Sequence, residues 1–208
     1  MQLFIEQVFN GLAMGSIYMI ISLGLALVYG IMRILHIAHA GVYTLGAYAS
    51  LFIFHWTSSI VLSILGSMAF CAVIGVLIER TVYFPLLKYP PYVPMIASIA
   101  ILLSVQEICR LAAGPNILAF NAKLPFPELT IAGVHLSSNI IAVYCVTAVL
   151  LLLLWLITTK TELGLAMRAV SQDLSIAGAQ GIDSHRIVSV VFIIGSAIAA
   201  VGGMLVGI

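Results

Sequence analysis

Long apolar stretches separated by short polar breaks dominate the chain. Crossing the hydrocarbon core of a bilayer takes ~20 mainly apolar residues. Six stretches read as spans on that criterion: Val8 to Tyr29, His39 to Trp56, Ser59 to Ile78, Tyr92 to Leu111, Asn139 to Ile157 and Ile187 to Ile208. The pattern predicts an all-α, polytopic transmembrane helical bundle, one transmembrane domain across residues 1–208. One break differs in kind from the others. Thr159 to Arg186, TKTELGLAMRAVSQDLSIAGAQGIDSHR, carries Lys160, Glu162, Arg168, Asp173, Asp183 and Arg186, about two fifths of all formal charge. It must lie in water, and residues 160–186 read as a loop built for a soluble partner.

That loop has its own order. Leu163, Met167, Val170, Leu174 and Ala177 recur at spacings of 4, 3, 4 and 3, which stacks them on one helical face. Arg168, Gln172 and Ser175 then point the other way. Asp173 is placed to cap a short second helix, Gly181 to close it in the left-handed conformation, and Asp183 to cap the helix entering the last span. The reading is a short helix held between two elbows. An amphipathic helix lying on lipid is the alternative, but such helices carry a strongly basic polar face, and this one is mixed in sign.

Composition narrows the class. Apolar residues make up 63% of the 208 and charged residues 7%, with a mean hydropathy of +1.23, which excludes a soluble globular domain. A formal net charge of +1 offers no basic patch for nucleic acid. Cys71, Cys109 and Cys145 all fall within apolar runs and read as small packing residues. With the 160–186 loop placed in the cytoplasm, Arg33, Arg80 and Lys88 lie on that side too, giving six of the 8 Lys/Arg. Lys123 then falls outside, with Arg110 near that boundary. The positive-inside rule supports this orientation, with the N-terminus outward. The outer connection Ala113 to Ser138, with Pro115, Pro125, Pro127, Gly114 and Gly133, reads as irregular.

Small residues at four-residue spacing let helix backbones approach closely in lipid. Gly11 and Gly15 do so in the first span, and Gly195, Ala199, Gly203 and Gly207 form a longer ladder in the last. The chain holds no phosphate-binding loop, no metal-spaced His/Cys cluster and no nucleophile with a nearby base, so it reads as no enzyme and as binding no cofactor or metal itself. Charges inside spans are costly and count as candidate sites. Glu107 and Arg110, three apart, have the spacing of an ion pair on one helix face near the outer end of the fourth span. Glu79 and Arg80 read as an anchor ending the third span. His36 and His39, also three apart, read as interfacial or pathway hydrogen-bonding groups.

Four ordered blocks carry a resemblance: FNGLAMGSIYMIISLGLALVYGI, HIAHAGVYTLGAYAS, IERTVYFPLL and GLAMRAVSQDLSIAGAQGIDSHRIVSVVFIIGSAIAAVGGMLVG. Together they resemble the permease subunits of branched-chain amino acid ABC importers, over essentially the whole chain. The resemblance implies a multi-pass subunit of a bacterial-type plasma membrane. Its implied partners are a second permease subunit, two cytoplasmic ABC ATPases carrying ATP and Mg, and an extracytoplasmic solute-binding protein. It makes the polar loop a coupling segment, with Arg168, Ala169, Gln172, Asp173, Ser175, Ala177, Gly181 and Ile182 as its contact residues. It places His36, His39, Gly41, Tyr43, Gly46, Ser104 and Glu107 along the substrate pathway. Where the family usually has an Asn-Phe-Ala-His-Gly run after the first span, this chain has His36-Ile37-Ala38-His39-Ala40. Family members typically have about two further spans, so the chain is expected to be incomplete at its C-terminus. An ion-coupled secondary transporter, a non-transporting scaffold subunit, and the same ABC scaffold carrying urea or short amides stay open as alternatives.

Overall fold

The computed structural model describes residues 2–114, 129–131 and 134–207. Lys123, Pro115, Pro125, Pro127, Gly133 and Ile208 lie outside them. Helix α1 covers Gln2–Met32, α2 His39–Thr57 and α3 Ile60–Ile78. A π-helical turn, Glu79–Tyr83, and a last helical turn α4, Phe84–Leu86, extend α3. Helix α5 covers Tyr92–Ala113, α6 Ser138–Lys160, α7 Glu162–Gln172, α8 Leu174–Ala179 and α9 Ser184–Gly207. Two three-residue strands, β1 Leu129–Ile131 and β2 Val134–Leu136, pair antiparallel in the α5–α6 connection. Among the described residues this strand pair is the one regular addition to a helical architecture. Spans have to satisfy their backbone groups internally, which is why helices carry the rest.

Five of the predicted spans are helices long and apolar enough to cross a membrane: α1, α3 with its extension to Leu86, α5, α6 and α9. The sixth, α2, starts at the predicted His39 and runs one residue past the predicted end, to Thr57, but it is not among the helices apolar enough to cross. Two of its polar residues, His39 and Ser50, are buried in protein. His39, Gly41, Val42, Gly46 and Ser50 form a buried face laid mainly on α9 and α3.

Helix α9 is the centre. Nearly three quarters of its span is buried, against less than a third for each of the other four, and it packs on α1, α2, α3 and α7. Small residues make this possible. A Cβ on Gly46 would overlap the Ala200 backbone, one on Gly203 the Tyr43 carbonyl, and one on Gly75 the Ser196 side chain. One on Gly195 would sit 3.1 Å from the Gly24 carbonyl. The predicted ladder of the last span therefore works at Gly195, Ala199 and Gly203, but a Cβ at Gly207, Gly11 or Gly15 meets nothing within 4 Å. Those three glycines serve no helix crossing among the described residues. Helix α6 packs on α1 instead through Val143, Leu154 and the Tyr144 hydroxyl, which donates to the Phe9 carbonyl at 2.8 Å.

Close backbone approach at Gly46 sets a test. Adding one methyl to a filled crossing costs ~1–3 kcal/mol, so Gly46→Ala lowers the unfolding temperature in detergent clearly, whereas Gly11→Ala leaves it unchanged or slightly raised.

Candidate functional site

The polar loop folds as two helices, each end of which is satisfied. Thr161, in extended backbone, accepts from the Gly164 amide at 3.2 Å and caps α7. Gly164 is buried so tightly against the last turn of α6 that a Cβ would overlap the Ile157 and Thr158 carbonyls. The Arg168 guanidinium donates to the same Thr158 carbonyl. At the far end of α7, Arg33 donates through Nη2 to the Ser171 and Gln172 carbonyls, at 3.1 and 3.4 Å. The final carbonyls of a helix have no partner within it and carry the negative end of its dipole, so a cation is favourable there twice over. Two arginines thus fasten α7 at both ends, one to α6 and one to the α1–α2 connection.

Helix α8 follows after one extended residue. Asp173 turns the chain and accepts from the Ile176 amide at 3.0 Å through Oδ1. Gly181 lies at φ +85. Its amide reaches the Gly178 carbonyl at 3.0 Å while the Ile182 amide reaches the Ala177 carbonyl at 3.1 Å. This is the paired closure that a left-handed glycine permits. Asp183 accepts from the Arg186 amide at 3.2 Å and pairs with the Arg186 side chain at 2.9 Å. The Ser184 hydroxyl donates back to the Leu174 carbonyl at 3.2 Å.

The expected apolar stripe is half present. Met167, Val170 and Ala177 are buried in the main core beside Ile187, Val188 and Val191 of α9. Leu163, at the start of the stripe, and Leu174 within it are exposed. The expected elbow at Asp173 separates α7 from α8, and Gly164 takes the buried position at the start. Of the expected contact residues, Arg168, Gln172, Asp173 and Gly181 are exposed, Ala169 and Ile182 half-buried and Ala177 buried; the side chain of Ser175 lies outside the description.

The expected pathway residues fall into three places. His36 and His39 are buried, at 1% and 2% exposure. His36 Nδ1 lies 2.6 Å from the Tyr83 hydroxyl, and its ring packs edge-on against Tyr83 and tilted against Phe192. Burial, with a smaller contribution from His39, pushes the His36 imidazole down to about 3, so the ring is neutral. Neither nitrogen of His39 has a partner of good geometry; the Ile21 carbonyl is the acceptor it approaches. Gly41 and Gly46 sit in helix crossings, against Val105 and Ala200, and half-buried Tyr43 supplies the carbonyl that Gly203 meets. Ser104 and Glu107 are exposed on α5, the first bonded to its own helix and the second paired with Arg110 at 2.7 Å, as its spacing predicted.

Glu79 departs from the anchor reading. It is 2% exposed and accepts from the Ser189 hydroxyl of α9 at 2.9 Å, while Arg80 stays exposed. The π-helical turn rotates it inward. Pro85 is the cause: its ring clashes with the carbonyl four residues back, and the Phe84 amide instead bonds the Glu79 carbonyl, five back. Pro85 two residues after Tyr83 was the signal for this distortion.

Residues 7–208 match the family described as branched-chain amino acid transport system / permease component. The chain belongs to that family. It is 32% identical to the high-affinity branched-chain amino acid transport system permease protein BraD of Pseudomonas aeruginosa, covering 98% of this chain and 71% of the relative. It is 28% identical to LivH, the corresponding permease protein of Escherichia coli K12, over 98% of this chain and 70% of the relative. The galactofuranose transporter permease protein YtfT of Escherichia coli K12 matches more weakly, at 25% identity over 54% of this chain and 32% of the relative. No solved structure matches.

As a transport permease the chain is a membrane protein and not an enzyme, and among the described residues no cluster of three metal-ligating side chains forms. The closures of its polar segment can be tested. An L side chain in left-handed backbone costs ~1–2 kcal/mol. Gly181→Ala accordingly speeds amide hydrogen exchange across Leu174–Ala179 several-fold, whereas Gly178→Ala, where a Cβ meets nothing, slows it or leaves it unchanged.

Proposed function

We propose that this chain is the membrane-spanning subunit of an ATP-driven importer for branched-chain or similar aliphatic amino acids, and that α7 and α8 are where the ATPase presses on it. One observation carries the second half. A charged two-helix segment is fastened by Arg33 and Arg168 to the ends of two spans while its outer residues, Gln172 and Asp173 among them, stay exposed. A surface held this firmly transmits a push; a floppy connector absorbs it. The relatives' names supply the solute class.

The rest of the assembly follows from that reading. It comprises a second permease subunit, two cytoplasmic ABC ATPases that bind ATP and Mg, and an extracytoplasmic solute-binding protein. The 160–186 loop is then cytoplasmic and the N-terminus outside, in a bacterial-type plasma membrane, as the distribution of Lys and Arg favours. Ser104 and Glu107, exposed on α5, line a passage enclosed only when the second subunit is present, while His36, His39, Gly41, Tyr43 and Gly46 support its wall. A sugar permease among the relatives supports leaving the choice of solute largely to the binding protein.

A cysteine at Gln172, in a background with Cys145→Ser, tests the docking surface. It is expected to crosslink to the ATPase subunit with a yield that changes between nucleotide-free and ATP-bound states. No crosslink in any nucleotide state contradicts the proposal. Uptake that survives ATP depletion but collapses with the ion gradient favours the ion-coupled alternative.

A further inference from the structure

We propose that Arg33, His36 and Tyr83 form a positioning node that passes movement of α7 to α2, α5 and the π-helical turn. The inference rests on the reading that the ATPase acts on α7 and α8, and it goes beyond it by naming the residues that carry the movement inward.

Residues 33–38 form a short connection between α1 and α2, and four other elements hold it. Arg33 sits at φ +54, a conformation that a bulky residue keeps only when its surroundings impose it, and its guanidinium grips the last carbonyls of α7. Three residues on, His36 is fully buried between the Tyr83 hydroxyl and the Phe192 ring of α9. Two more residues on, the Ala38 amide donates to the Ser98 hydroxyl of α5 at 2.7 Å, and Ser98 also faces Tyr83. Helix α2 starts at the next residue. A displacement of the α7 end therefore pulls on a strap whose far side is pinned to three membrane elements.

Two features mark this as a switching point and not merely as packing. A π-helical turn holds one more residue than the α-helix around it, and such turns recur at functional sites inside helices. Further, His36 Nε2 and both His39 nitrogens are buried without partners of good geometry. A core kept only for stability fills such a place with hydrocarbon, because an unpartnered polar atom there is costly. Unused hydrogen-bonding capacity beside such a turn fits an element whose other state supplies the missing partners.

The test uses the assembled transporter in lipid vesicles and amide hydrogen exchange on the same samples. Tyr83→Phe removes the hydroxyl and keeps the ring. It is expected to lower solute uptake per ATP hydrolysed by about five-fold or more, with ATP hydrolysis and the KM for leucine near those of the unsubstituted protein. Exchange at Ser171 and Gln172 rises several-fold, as it does in Arg33→Gln, and the double variant is no worse than the more affected single one. Coupling is reciprocal, so Arg33→Gln, whose side chain is on the surface, also raises exchange across Glu79–Tyr83; this arm decides the matter if Tyr83→Phe fails to fold. Unchanged uptake per ATP with unchanged α7 exchange in Tyr83→Phe, no effect of Arg33→Gln on the π-helical turn, or effects that simply multiply in the double variant, each overturns the node. An unsubstituted assembly without ATP-dependent uptake instead sinks the importer reading, and the exchange results still decide the node.

Discussion

The structure depends on how closely backbones approach around α9. Lipid offers little hydrophobic force to bring helices together, so association rests on contact area and on small residues that permit it. Gly46 against Ala200, Gly203 against Tyr43, Gly195 against Gly24 and Gly75 against Ser196 place α1, α2 and α3 directly on the central helix. The burial of α9 follows from those contacts. So does the tolerance of polar groups inside, since His36, Glu79 and Ser189 are enclosed by protein and not by lipid.

The same helix joins the core to the polar segment. Asp183 caps α9, Ser184 bonds back to α8, and the Schellman closure at Gly181 fixes the angle between them. Helix α7 is tied to α6 by Gly164 and Arg168 and to the α1–α2 connection by Arg33. A force on this segment therefore has two routes inward, directly along α9 and through the connection carrying His36. Both are short, and the ends of α7 and α8 in them are held by hydrogen bonds from Arg33, Thr161, Asp173 and the Gly181 closure.

Much of this was legible in the sequence because it rests on local rules. The limits of α2 and the caps at Asp173, Gly181 and Asp183 follow from residue type and spacing, as does the pairing of Glu107 with Arg110. Family membership was legible as well, in four ordered blocks. What local rules could not supply was three-dimensional. Equal four-residue ladders at Gly11 and Gly195 look alike in one dimension, yet only the second meets a neighbour. The spacing of the stripe from Leu163 to Ala177 does not reveal that Leu163 and Leu174 stay exposed. The inward turn of Glu79 depends on Pro85 and on Ser189, residues six and over a hundred positions away. The arginine clamps on α6 and α7 bridge carbonyls, which no side-chain pattern reveals.

The central claim is that nucleotide binding by the ATPase moves α7 relative to the membrane core. It is met most directly by pulsed electron–electron distance measurement on the assembled transporter, with spin labels on cysteines replacing Gln172 in α7 and Trp56 at the end of α2. The account predicts a distance distribution that shifts between the nucleotide-free and ATP-bound states and returns after hydrolysis. Identical distributions in every nucleotide state, in a sample that hydrolyses ATP and takes up solute, contradict it.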